Sequence, residues 1–152
     1  YRADVAGLVL VDSMHEDQFD VFGPTFPPPV PSDPPALAGM RQFWTGGWKR
    51  LDSSIERIDL AETIRQGREV VSLGDLPLRV ITAGTYLHMP LVPPAQRDML
   101  QGLWEGLQAR FPLLSSQSTQ TFVRTSGHFV QRDAPQSVVE TIRNVHQRAL
   151  ST

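Results

Sequence analysis

The stretch Gly7-Leu8-Val9-Leu10-Val11-Asp12-Ser13 decides the fold class of this chain. Its first five residues are apolar without alternation, the pattern of a strand covered on both faces in a parallel sheet. Asp12 follows directly, at the carboxyl end, where open parallel sheets bind ligands. Two more strand patterns lie downstream. Leu78-Arg79-Val80-Ile81-Thr82 follows the turn-forming Gly74-Asp75-Leu76-Pro77 and ends at Ala83-Gly84, and Thr121-Phe122-Val123-Arg124-Thr125 ends at Ser126-Gly127. Between them Met99, Leu100, Leu103, Trp104, Leu107 and Phe111 recur at spacings of three and four, which predicts an amphipathic helix from about Arg97 to Phe111. After the third strand, Pro135 opens a second helix whose apolar stripe is Val138, Val139, Ile142, Val145 and Leu150. Strands separated by helices need crossover connections, so the expected class is α/β with a parallel sheet.

Roughly 65 residues separate the first two strands, where a crossover needs about a dozen. The surplus reads as an insertion. It starts polar, passes through a proline cluster and then holds two helix-like pieces, Ala36 to Trp48 and Ser53 to Gly67. Ser53 or Ser54 is a candidate cap for the second piece, with Glu56 completing a capping box. Of 13 prolines, seven fall between Pro24 and Pro35, which predicts a stiff extended linker. The expected organisation is residues 1–13 as core strand and acid turn, 14–72 as a helical lid inserted into the fold, and 73–152 as the carboxyl-terminal core.

Composition narrows the function. The 152 residues include 14 basic and 16 acidic side chains, so the net charge of −2 offers no global field for nucleic acid or an anionic membrane. With no cysteine there are no disulfides, thiolate metal sites or cysteine nucleophile. The uncharged run Val80 to Gln96 is broken by Gly84, His88, Pro90, Pro93 and Pro94, so no membrane span is expected. A soluble protein is expected, with a cytoplasmic location favoured; the first strand pattern begins at once with no leader pattern before it, which suggests a missing upstream portion.

Three strand ends could carry chemistry. Asp12 is one, although an aspartate there also serves as a turn or capping residue. Another is Ser126-Gly127-His128-Phe129, followed by Asp133-Ala134-Pro135; a glycine beside a histidine at a strand end suits a base that must approach closely. His15, His88 and His146 have no such setting, and Ser13 and Ser126 are not in the strained strand-to-helix elbow that exposes a nucleophile.

Residues Ala3 to Ser13, Leu73 to Gly84 and Ser126 to Pro135 together resemble the later half of the α/β-hydrolase family, with the block from Ser126 to Val139 the most specific part. The resemblance implies a partial α/β-hydrolase fold whose three strands are the sixth, seventh and eighth of eight, with the lid entering between the sixth and seventh. His128 matches the family's histidine base. The family's acid usually follows the seventh strand, but Gly84-Thr85-Tyr86-Leu87-His88-Met89 contains no carboxylate. A minority of the family places the acid after the sixth strand, which is Asp12. Neither G-x-S-x-G nor an oxyanion-hole segment occurs in the sequence. The resemblance therefore implies a nucleophile in an upstream amino-terminal half, with this chain inactive alone.

The expected function is a serine-type, carboxylic-ester-type hydrolase with a catalytic triad, acting on a hydrophobic small molecule without metal or organic cofactor. Lid aromatics, among them Phe22, Phe43, Trp44 and Trp48, are the candidate substrate-binding residues, though such rings also pack a lid together. Two readings stand beside it: a non-catalytic hydrolase-like binding or accessory module, and a complete small α/β binding domain. An apolar first strand left at a sheet edge also predicts aggregation or a molten state for residues 1–152 expressed alone.

Overall fold

A computed structural model describes residues 4–53, 57–85 and 92–150. The chain forms two compact units, Tyr1–Ser13 with Val71–Thr152, and Met14–Val70. The first is an α/β unit with a three-stranded parallel sheet of order β1-β2-β3, where β1 is Leu8–Val11, β2 Leu78–Thr85 and β3 Ser118–Gly127. Leu8 to Val11 pair in register with Leu78 to Ile81, and Leu78 to Ala83 pair with Ser118 to Val123.

The sheet separates two apolar layers, because alternate residues of each strand point to opposite faces. On one face Leu78 and Val80 of β2 pack with Leu8 and Leu10 of β1 and with Phe111, which sits in a short 3-10 turn at Phe111–Leu114. On the other, Ile81 and Ala83 pack with Val9, Val11, Val123, Val130 and Val138. This explains why the segment Gly7–Val11 shows no alternation. The full coverage expected of β1 belongs instead to β2, whose first six residues are buried; β1 lies at the sheet edge and is half-buried.

Helix α4, Pro94–Gln108, connects β2 to β3, and after β3 come the short helix α5, Val130–Asp133, and α6, Pro135–Ala149. Pro135 is the first residue of α6, where a missing N–H costs nothing. The apolar stripe expected on α6 is narrower than its spacing predicts. Val138 and Val145 pack inward, whereas Val139, Ile142 and Leu150 are exposed, because the three-stranded sheet offers α6 only the width of β1 and β2. At the other end of the sheet, β2 and β3 approach so closely that a Cβ on Gly84 would lie 2.2 Å from the Arg124 carbonyl oxygen. Their register shifts between Ala83 and Thr85.

The second unit is helical. It contains α1, Gln18–Phe22, α2, Pro35–Thr45, and α3, Leu60–Glu69, numbered in chain order with the helices above. Phe19, Phe22, Phe26 and Trp44 are buried in it, and ring contacts link them to Phe43 and Trp48: Phe19 stacks on Trp48 at 4.4 Å, and Trp44 meets Phe22 at 5.2 Å and Phe43 at 5.5 Å. Two expectations need correction here. The proline cluster is not a plain extended linker: Pro24 lies in a 3-10 turn, Pro35 opens α2, and Asp33 ties the segment down by accepting from Val30 N–H and from Arg41 Nη1. The helix expected from Ser53 begins instead at Leu60, capped by Asp59, whose carboxylate accepts from Glu62 N–H at 2.9 Å. Arg57, at φ +53°, is in the left-handed region and cannot extend that helix backward. The capping box expected with Glu56 lies outside the described residues, as do Ser54 and Ile55.

Candidate acid–base site

Asp12 ends β1 in an unusual backbone conformation. Its own N–H still donates to Ile81 carbonyl oxygen at 2.7 Å, as the parallel ladder requires. At φ +44° the chain then turns away into the left-handed region, which aspartate tolerates better than most residues. The side chain takes over the pairing: Oδ1 accepts from Ala83 N–H at 2.8 Å, where a continuing ladder would offer a main-chain carbonyl. The same oxygen accepts from the indole Nε1–H of Trp104 at 2.9 Å.

The other oxygen, Oδ2, lies 2.8 Å from Nδ1 of His128, across 116 positions of sequence. The Asp12 side chain is fully buried and the His128 side chain is 46% exposed. An ionised carboxylate only accepts hydrogen bonds, so Ala83 N–H, Trp104 Nε1–H and His128 Nδ1–H converge on it as three donors. That arrangement satisfies a buried charge with hydrogen bonds and fixes the histidine tautomer with Nε2 as the basic nitrogen. An imidazolium formed at His128 would be stabilised by the carboxylate in place.

The loop holding His128 is short and braced at both ends. Gly127 N–H donates to Asp133 Oδ2 at 2.9 Å, so the aspartate of the Asp133-Ala134-Pro135 segment closes the turn over the histidine. Val130 is fully buried, and its N–H donates to the His128 carbonyl at 3.0 Å. A Cβ on Gly127 would stand 3.3 Å from that Asp133 oxygen, which accounts for the glycine beside the histidine.

The structure brings together Asp12 and His128, the two strand-end residues singled out in the sequence, and adds residues that hold the Asp12 carboxylate, which the sequence did not reveal. Trp104 and Gln108 lie one helical turn apart on α4, both fully buried. Trp104 binds the Asp12 carboxylate, and Gln108 Nε2–H donates to the Ser13 carbonyl at 2.7 Å. The signal was present as a glutamine on the apolar side of a helix, a polar group that must find a partner when buried. Ser126 is buried and its hydroxyl donates to the Gly127 carbonyl, a setting unlike that of an exposed nucleophile. In Met14–Val70, Phe22 and Trp44 are interior residues, and Phe43 and Trp48 are half-buried. His15 is also buried there, its Nδ1 accepting from Asp17 N–H; His146 is exposed on α6, and His88 lies outside the described residues, as does most of the segment after β2 in which no carboxylate was found.

Among the described residues no three histidine, aspartate or glutamate side chains gather as a metal site would require. No described helix is long and apolar enough to cross a membrane. Comparison with protein-family models, curated proteins and solved structures gives no match to this chain.

Proposed function

We propose that this chain is the carboxyl-terminal part of an α/β-hydrolase, contributing the acid Asp12 and the base His128 to an acyl-transfer site whose serine nucleophile lies on another segment. The observation that carries this reading is the 2.8 Å contact between His128 Nδ1 and a carboxylate held at a left-handed strand end by two further donors. Conformations of that kind cost about 1–3 kcal/mol each and concentrate at active sites. A purely structural aspartate capping a strand has no need of a half-exposed histidine.

In this mechanism His128 Nε2 removes the proton from the serine hydroxyl as the oxygen attacks the ester carbonyl. It then delivers that proton to the departing alkoxide, leaving an acyl-enzyme and free alcohol. Water repeats the sequence and releases the acid. Asp12 keeps Nδ1 protonated throughout and offsets the positive charge while Nε2 carries the second proton. Residues Met14–Val70 are the lid of this reading. Its aromatic content, with surface left on Phe43 and Trp48, favours an apolar acyl or alcohol group.

The test is hydrolysis of p-nitrophenyl acetate, butyrate and octanoate by the full-length protein. Turnover that rises with chain length and falls about 10³-fold or more in His128→Ala supports the proposal. An inactive full-length protein favours the non-catalytic binding module, and wild-type turnover by the variant moves the chemistry elsewhere.

A further inference from the structure

The opposite end of the sheet holds a second polar site. Arg79 is the second residue of β2 and points to the α6 face, where register places it beside Thr119 of β3. It is only 7% exposed. Its Nη1 donates to the carbonyls of Leu78 at 2.8 Å and Gln117 at 3.0 Å, and its Nε to Asn144 Oδ1 at 3.3 Å. These acceptors are all neutral. Burial pulls the Arg79 pKa below the usual arginine value, and the like charge of Arg148 pulls in the same direction. A buried guanidinium held by neutral hydrogen-bond acceptors is short of negative charge.

A cleft of about 440 Å³ opens at this point, within the range of small-molecule sites. Thr119 and Thr121 line one wall from β3. Ser137, Thr141, Asn144 and Arg148 line the other as a single stripe at helical spacing on α6, on the flank next to Val138 and Val145. Glu140 is the one carboxylate among the described lining residues. Ala83, which binds Asp12, is four residues farther along β2, roughly 13 Å at the strand rise. The cleft is therefore separate from the acid–base pair.

We propose that the cleft between β3 and α6 binds a small ligand through a phosphate group. A carboxylate would use two donor directions. Two guanidiniums with hydroxyls on both walls supply donors for the three outer oxygens of a phosphate ester, and guanidinium geometry matches such oxygens in pairs.

The experiment is isothermal titration of the full-length protein with inorganic phosphate at constant ionic strength, with chloride as the control. Saturable one-site binding is expected. Arg148→Gln, an exposed position whose replacement leaves the fold intact, should weaken it about tenfold, the loss of one charge-assisted bond. Glu140→Gln should tighten it by removing the opposing charge. Arg79→Gln should abolish it, and because that variant risks the fold, the two exposed substitutions carry the decision. No saturable binding in the wild type, or binding unchanged in both Arg148→Gln and Glu140→Gln, overturns the proposal.

Discussion

Replacing Asp12 by asparagine changes one atom's chemistry at the centre of the site. The amide oxygen can keep Ala83 N–H and Trp104 Nε1–H, now at 2.8 and 2.9 Å from Oδ1. The amide nitrogen then replaces Oδ2 and meets His128 Nδ1 as a donor, where the carboxylate was an acceptor. Nδ1 can answer only by accepting, so its proton moves to Nε2 and the basic nitrogen turns inward. All three charge-assisted hydrogen bonds become neutral ones, a stability loss of about 1–3 kcal/mol with the fold retained. The kinetic loss should be far larger, about 10⁴-fold in kcat or roughly 5 kcal/mol of barrier, because the wrong tautomer cannot act as base. Nitrogen-15 NMR of the imidazole in full-length protein reads the tautomer directly and independently of activity. Wild type should show Nδ1–H and Asp12→Asn should show Nε2–H. A variant that keeps Nδ1–H, or that turns over ester at the wild-type rate, refutes the reasoning.

The brace under the histidine can be tested separately: Asp133→Ala should lower kcat roughly tenfold with KM unchanged and cost under about 1 kcal/mol of stability, since Asp133 is exposed, while Asp133→Asn, which keeps an acceptor for Gly127 N–H, restores most of the rate. Equal effects of the two substitutions on kcat would show that the bond does not position His128. Gly84→Ala would place a Cβ 2.2 Å from a backbone carbonyl oxygen and should destabilise by more than about 3 kcal/mol in urea unfolding; a loss under about 1 kcal/mol would mean the strands can separate there. On α3, hydrogen bonds from Arg65 and then Gln66 hold the Glu62 carboxyl down at about 2, below its ordinary 4.5. Its contribution to α3 is therefore present above about pH 4.5 and lost as pH falls toward 2. Carbon-13 NMR of the Glu62 carboxyl should give a midpoint near 2, and a midpoint above 4 would contradict the pairing.

The α/β class and the parallel strands were legible because Gly7–Val11, Leu78–Thr82 and Thr121–Thr125 are punctuated by glycine and proline, and because two of the intervening helices keep a clear period. What could not be read was which strand the sheet would cover most completely. Apolar residues on both faces of β1 look the same in sequence whether the strand is central or at an edge, and only pairing distinguishes them. The same limit hid the two sides of α6: Val139 and Ile142 are as apolar as Val138 and Val145, and the narrowness of the sheet decides which are buried. At the candidate site, the strand-end positions pointed to Asp12 and His128. Their hydrogen bond joins residues 116 apart and needed the fold to appear. Trp104 was read as one more member of an apolar stripe, since an indole carries its donor on a body that packs like any hydrophobe. Asp59 was passed over as a helix cap because serines upstream offered a more familiar motif, and the left-handed Arg57 that interrupts the helix leaves no trace in composition.

In the proposed hydrolase His128 activates a serine nucleophile through its bond to Asp12. Labelling of the full-length protein with a fluorophosphonate, which reacts covalently with activated serine hydroxyls, tests this without a choice of substrate. Wild type should label at a single serine, and His128→Ala should label at least about 10³-fold more slowly at unchanged thermal stability. Labelling of His128→Ala at the wild-type rate, or no labelling of wild type at all, would contradict the assignment of Asp12 and His128 as the acid and base of a serine hydrolase.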